Sequence, residues 1–347
     1  MDRDTITDKQ EVKPVLHLTG ITAPEVANIW TQYQLDTMAR CVYKYMLETV
    51  HDHATRDILQ QALHISEEQI KQLNKFFKEE SFPIPHGFTD NDVDLSAPQL
   101  FTDSLCLTYT YIFTVNGLAG YAAALTTSVR RDIRDYFVKC QEDSMDLFNK
   151  ALDLLLQKGI VTRPPLLHPP TSYEFVESQD YIKGLLREPR PLNCIEISNI
   201  FWDLKKIQLS KAITIAFAQV AKSPRIRKYF WKGVEIYSKH IKIFEELLDE
   251  NNLPRPTSEE AEVTNSTISP FSDRLMLYHK AVFGSTTMSM YGSAFATCER
   301  TDLVADFARL TAELSKHIFE GNKIMIENKW FEQPPLATDR EALVLQE

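Results

Sequence analysis

The chain has 347 residues, 44% of them hydrophobic, with 48 acidic against 38 basic side chains and a formal net charge of −10. That length and apolar fraction supply a sizeable core and exclude a disordered chain, while the negative balance repels phosphate backbones and argues against nucleic acid as a partner. Ten Gly against 13 Tyr and 19 Phe, with long stretches free of Gly and Pro, favours helices over a turn-rich all-β chain.

Residues 1–22 read as a polar leader. Its opening, MDRDTITDKQEVKP, is charged throughout and lacks the apolar run and cleavage site of a secretory signal, so a cytoplasmic location is expected. A first helix is predicted from Ala23-Pro24-Glu25, with proline early and an acid in the first turn, to about Val50. Its buried stripe is Ile29, Trp30, Tyr33, Thr37, Cys41 and Tyr45, at steps of three and four. A second helix follows His51-Asp52-His53, with Ile58, Leu59, Ala62, Leu73, Phe76 and Phe77 on its apolar face.

Between Ser81 and Pro98 the sequence SFPIPHGFTDNDVDLSAP forbids a continuing helix. A helix of about 27 residues is roughly 40 Å long, and some seventeen extended residues reach about 55 Å. The loop can therefore travel the length of a bundle and leave the second and third helices parallel, as in one-crossover four-helix bundles.

The third helix is predicted over about Phe101–Ser128. Its stretch Leu105–Ser128 carries no charge and is long enough to cross a bilayer, but it holds six Thr and Ser, one Asn and three Tyr. It reads as a helix buried in a soluble bundle, with no membrane span. The small residues from Gly117 to Ala124 read as sites of close helix packing, with a lined cavity as the alternative. A fourth helix runs over about Arg131–Lys158 to Gly159, a normal C-terminal residue. From Ile160 to Asn193 lies a connector with Pro164, Pro165, Pro169, Pro170, Pro189 and Pro191; its Tyr173, Phe175, Tyr181 and Leu185 predict that it packs across both halves.

The chain then repeats itself. Phe271-Ser272-Asp273-Arg274-Leu275-Met276-Leu277 answers Phe101-Thr102-Asp103-Ser104-Leu105-Cys106-Leu107 at a spacing of 170. Glu196, Asn199 and Ile200 answer Glu25, Asn28 and Ile29 at 171, so one residue of slippage, inside the loop, suffices for the whole comparison. The predicted fold is all-α: two tandem ferritin-like four-helix bundles related by internal duplication. They occupy 23–159 and 194–329, joined by the connector 160–193 and closed by a polar tail at 330–347. The second-half helices are predicted at about 194–222, 223–251, 268–298 and 301–329.

Chemistry is scarce. Five widely spaced cysteines among apolar residues read as reduced core thiols. There is no phosphate loop, G-x-S-x-G or H-E-x-x-H. The basic run Lys222–Lys232 reads as a solvated helix start. A di-iron bundle needs a Glu from each of two helices and a Glu-x-x-His from each of the others. The one Glu-x-x-His, Glu48 to His51, ends the first helix, and its second-half equivalents are Gln219 and Lys222. The second half offers a different set, His240, His279, Glu313 and His317, as candidate ligands for Fe, Mn or Zn at mid-bundle. Their first-half counterparts are Gln69, Tyr109, Asp143 and Leu147. Asp103 and Asp273 read as structural, each neutralising its own helix dipole.

The paired F-[ST]-D-x-L-x-L segments, the duplicated pattern with its long second link, and Pro83-Ile84-Pro85 answered by Pro254-Arg255-Pro256 resemble a known family. It comprises the uncharacterised tandem-bundle proteins of spore-forming Bacillus-type bacteria, whose halves are similar to ferritin-like and spore coat protein F-like domains. The resemblance covers about residues 14–335. It implies a ferritin-like fold for each half and, by analogy, a spore or stress association; it does not imply iron. The leading reading of function is a non-enzymatic structural or interaction protein without a cofactor, working through protein partners or self-association. The alternatives are the asymmetric metal-binding bundle and a carrier of an apolar ligand beside Gly117–Ala124 and Gly284–Ala296.

Overall fold

Links of three residues join the long helices two by two, and so short a link turns the chain back on itself. A computed structural model describes residues 20–185 and 188–344. In it α1 (Ala23–Thr49) turns into α2 (His53–Glu79), α3 (Asp103–Thr127) into α4 (Arg131–Gln157), α5 (Cys194–Val220) into α6 (Pro224–Glu250), and α7 (Asp273–Thr297) into α8 (Thr301–Glu327); a short α9 (Arg340–Val344) follows. The members of each pair pack together, and the described residues hold no strand. α3 and α7 begin later than the pattern predicts because Thr102 and Ser272 are their N-caps, accepting from Leu105 N at 3.3 Å and Leu275 N at 3.1 Å.

Two duplicated carboxylates fix the helix directions. Asp103, at the start of α3, accepts from the backbone N–H groups of His51 (3.1 Å) and Asp52 (2.7 Å) at the start of α2. Glu25, at the start of α1, accepts from Val129 and Arg130 at the start of α4, both at 2.8 Å. The starts of α2 and α3 thus share one end and those of α1 and α4 the other, so α2 and α3 are parallel and the loop between them runs the full length. Asp273 does the same for Lys222 and Ser223, both at 2.9 Å, and Glu196 for Arg300 at 3.2 Å. The aspartates therefore satisfy orphan donors of a neighbouring helix, a more specific task than neutralising their own dipole.

The halves join through contacts that repeat with the roles exchanged. Thr102 N donates to Glu262 O (3.0 Å) and Ser272 N to Asp92 O (2.9 Å); Thr264 N donates to Leu100 O (3.0 Å) and Asp94 N to Pro270 O (2.8 Å). The N-cap hydroxyls follow: Thr102 donates to the Glu262 carboxylate, and Ser272 to Asp92 at 2.7 Å. After α8, Glu332 accepts from His86 N at 2.6 Å in the first-half loop, and after α4, Thr162 accepts from Thr257 N at 3.1 Å in the second. On the pseudo-two-fold axis, equivalent residues meet each other: Tyr109 Oη lies 3.0 Å from His279 Nε2.

This exchange makes one core of two halves. A single apolar cluster takes Met38, Tyr45 and Met46 from α1, Leu105 and Tyr109 from α3, Leu209 and Phe217 from α5, and Phe271 and Met276 from around the start of α7. Smaller clusters close the two far ends, around Phe77 and Phe137 in the first half and Phe244 and Phe307 in the second. α1 and α5, wedged between their own half and the other, are buried on nearly every side, including Gln34, Asp36 and Lys206. α3, without charge from Leu105 onward, and α7, without charge from Ala281 onward, are buried mainly in their first halves. Ala119, Gly120, Ala122 and Ala123 are exposed, and a Cβ at Gly120 or Gly292 would meet nothing within 4 Å. Those four are therefore not sites of the close packing that composition suggested, whereas Gly117, against Ser144, and the buried Ala124 are, as is Gly284 against Ile318.

The connector packs at its ends. Ile160 and Val161 rest on the shared core, and Arg190 lies 3.8 Å over the Tyr181 ring. Its middle stands in solvent, with Leu166 94%, Tyr173 86% and Phe175 83% exposed; the prolines that stop a helix there also keep it from lying flat on one. The basic run at Lys222–Lys232 opens α6 with its cations outward, Arg225 pairing with Glu327 and Lys232 with Glu235. Among the described residues no helix is long and apolar enough to cross a membrane.

The second helix of each pair ends in a left-handed residue, and here too the halves correspond: Ser81 answers Asn252, and Gly159 (φ 67°) answers Lys329 (φ 59°). A side chain with a Cβ is strained in that region. Lys329→Gly is expected to raise stability by about 1 kcal/mol, seen as a higher urea midpoint at unchanged slope.

Candidate functional site

At mid-height each half carries a buried polar side chain from its second helix against a tyrosine from its third. In the second half His240 Nδ1 lies 3.2 Å from Tyr291 Oη, and His240 Nε2 lies 3.2 Å from Glu313 Oε2. Burial pushes the imidazole down to about 4, against the opposing pull of Glu313. Burial also works to raise the Glu313 carboxyl, but Lys239, at 2.9 Å, and His240 outweigh it and hold it below the ordinary range. A neutral imidazole beside an ionised acceptor keeps its proton on Nε2 and accepts the tyrosine hydroxyl's hydrogen bond on Nδ1. This Tyr–His–Glu relay has its two inner members fully buried, which makes it a structural link between α6, α7 and α8.

The four residues singled out as metal ligands are thus only partly brought together. His240 and Glu313 touch. His317 stacks on Tyr229 at 4.3 Å, on the far side of Gly233, where a Cβ would come within 2.8 Å of its Nε2. His279 faces the other half, stacked on Phe283 at 4.4 Å and beside Tyr109 at 5.6 Å, with its Nδ1 unpartnered. Among the described residues no group of three or more His, Cys, Asp or Glu could hold a metal ion. Helical spacing placed all four at mid-height; it did not show that α7 turns His279 toward the pseudo-two-fold axis.

Burial, with Lys280 and Lys206 nearby, pushes His279 well below its ordinary value. The folded state then holds it neutral while the unfolded chain takes up a proton below about pH 6.5, so stability present above that pH is lost on acidification. With His279→Phe that contribution disappears. Equilibrium unfolding at pH 7 and pH 5 should show the variant losing less than the parent, the gap changing by about 1.4 kcal/mol per pH unit.

In the first half the same level is built differently. Gln69 replaces His240, and with its amide nitrogen inward it donates to Asp36 Oδ1 at 3.0 Å and to the Tyr121 hydroxyl at 3.2 Å. Burial pushes the Asp36 carboxyl well above the usual carboxylate range, with Gln32 opposing. Beside this group a cleft of about 230 Å³ opens between α1 and α3, backed by α4. Leu35, Phe113 and Phe137 form its apolar wall, and Gln32, Asp36 and Asn116 its polar one. Gln32 is buried and its Oε1 accepts no hydrogen bond. Asn116 Oδ1 accepts from Lys206 Nζ at 2.7 Å, so the second half braces one cleft residue from behind. Burial drops that ammonium to about 7, with Asp203 pulling the other way.

The two halves differ at this cleft. Thr31, Gly117 and Gly120, which leave it open, are answered by Trp202, Thr287 and Met290; Asp36 is answered by Ile207. Sequence comparison of the halves contained that signal at these four positions, whereas Gln32, Leu35 and Asn116 are answered by Asp203, Lys206 and Thr286.

The family described as Protein of unknown function (DUF3231) matches this sequence twice, over residues 13–172 and 180–343. No curated protein matches it. Among solved structures it is similar to a protein from Bacillus halodurans C-125 described as a candidate spore coat protein, at 18% identity and a TM-score of 0.40, over 44% of this chain and 98% of that one.

Proposed function

The chain belongs to the DUF3231 family of proteins of unknown function, and we propose that it is a non-enzymatic binding protein in which a fused pair of bundles holds one small ligand. The parallel run of α2 with α3 and of α6 with α7 supports reading each half as a one-crossover, ferritin-like four-helix bundle. In place of a ligand set for two metals, the mid-bundle level carries amides, tyrosines and single carboxylates. The observation that carries the reading is the asymmetry at one cleft: the first half keeps Thr31, Gly117 and Gly120 where the second carries Trp202, Thr287 and Met290. A duplicated scaffold that needs its halves only to pack has no reason to leave one cleft open beside a buried carboxyl. The second half then serves as the support, with Lys206 holding Asn116 from behind the cleft.

The test is extraction. The chain, purified without a metal-affinity tag from a spore-forming host in which it is produced at native level, is denatured and its organic extract examined by mass spectrometry. One small molecule per chain, absent from Thr31→Trp/Gly120→Met, is the expected result. An extract indistinguishable from that of the double variant overturns the reading. The spore or stress association implied by the family resemblance predicts that the chain accumulates during sporulation, checked by immunoblot of staged cells.

A further inference from the structure

The cleft has a chemistry of its own, and the inference drawn from it rests on the binding reading above. We infer that its ligand is a neutral molecule of one or two fused rings bearing an N–H or O–H donor, held by Gln32 and Asp36 at the polar wall and by Phe113, Phe137 and Leu35 at the apolar one. Size sets the first limit: about 230 Å³ lies below the roughly 300–1,000 Å³ of sites for drug-sized molecules. The walls set the second. Phe113 and Phe137 offer ring faces and edges, which favour a flat apolar body.

The polar wall sets the third. Gln32 is 95% buried by its 5% relative exposure, and its Oε1 lacks a donor; a buried acceptor left unpaired is costly and is satisfied by a ligand that brings a donor. Its amide nitrogen is already turned to Cys140 Sγ at 3.7 Å. Asp36, one helical turn away, receives Gln69 on one side and lines the cleft on the other. Charge sets the last limit. Asp36 is the one acidic or basic residue lining the cleft, and burial holds it toward its neutral form, so a charged ligand would lose its hydration there without a counter-ion. What remains is a neutral donor on a ring system.

Two fluorinated probes of similar shape separate the parts of this inference: 5-fluoroindole, which has one N–H donor, and 1-fluoronaphthalene, which has none. Binding to the full chain is followed by fluorine NMR, with circular dichroism and the urea midpoint confirming that each variant is folded. Saturable binding of 5-fluoroindole is expected at one site per chain, with a dissociation constant of about 1 mM or tighter. Gln32→Leu should weaken 5-fluoroindole about 10-fold while leaving 1-fluoronaphthalene within about 2-fold. Gly120→Met should abolish both. If Gln32→Leu weakens both probes alike, or neither, the donor inference is overturned while the cleft stands as a binding site. If neither probe shows saturable binding up to about 5 mM, or if binding survives Gly120→Met unchanged, the binding reading itself is overturned.

Discussion

Glu196→Ala is expected to cost about 3–5 kcal/mol of stability, the range for removing one partner of a buried, hydrogen-bonded charge pair. The carboxylate is fully buried and accepts from Arg190 Nη1 and Nη2 at 2.8 and 3.0 Å, from Asn193 N at 3.0 Å and from Arg300 N at 3.2 Å. One side chain therefore caps α5, holds the start of α8 against it and anchors the end of the connector through Arg190. Alanine would leave the guanidinium and two backbone donors without their acceptor. Burial acts to raise this carboxyl, but Arg190 and the backbone donors outweigh it and hold it below 4.5. Because the folded-state value is the depressed one, the contribution is fully present above pH 4.5 and is lost as pH falls through the folded value. Urea unfolding should show the full deficit at pH 7 and a smaller one near pH 3. A deficit under about 1 kcal/mol at pH 7 would mean that the carboxylate is not the joint described here.

The second large effect is expected across the halves. Asp92 accepts from Ser272 Oγ at 2.7 Å, from its own loop at Thr89 N (3.0 Å), and pairs with Arg274 at 3.5 Å. It is buried. Asp92→Ala removes an acceptor from the N-cap hydroxyl of α7 and an anion from beside Arg274, and should cost about 2–4 kcal/mol in denaturant unfolding. The loss should appear as one shifted transition, because the residue and its partners lie in different halves of the sequence but in one joint. A new early transition confined to the second half would show instead that α7 is capped independently of the first.

The helices were legible because their ends are chemically marked. Pro24 and Glu25, His51-Asp52-His53 and Gly159 place the first-half boundaries within a few residues of those observed. The spacing of 170 to 171 disclosed the duplication, and the long loop correctly implied that α2 and α3 run parallel. Burial within the uncharged helices was not legible, since absence of charge does not say which turns are covered: Ala122 and Ala123 are as neutral as Tyr109 and Leu107, yet stand in solvent. Nor was the union of the halves. Its contacts join residues about 90 to 300 positions apart, as with Thr162 and Thr257, Thr102 and Glu262 or Gln34 and Glu332, and a polar loop residue looks the same whether it faces water or a second copy of its own fold. Of the candidate ligands, His240 and Glu313 meet because neighbouring amphipathic helices bring their inner faces together. His279 does not join them, because α7 has two buried faces and periodicity cannot choose between them.

Native-state hydrogen exchange in increasing urea tests most directly whether the two halves are one folded body. If they share a core, the slowest amides of α1, α3, α5 and α7 will converge on a single line of opening free energy against urea, in wild type and in Asp92→Ala alike. If amides of the first half instead converge on one line and those of the second on another, separated by more than about 2 kcal/mol, the halves unfold independently and the shared core proposed here is contradicted.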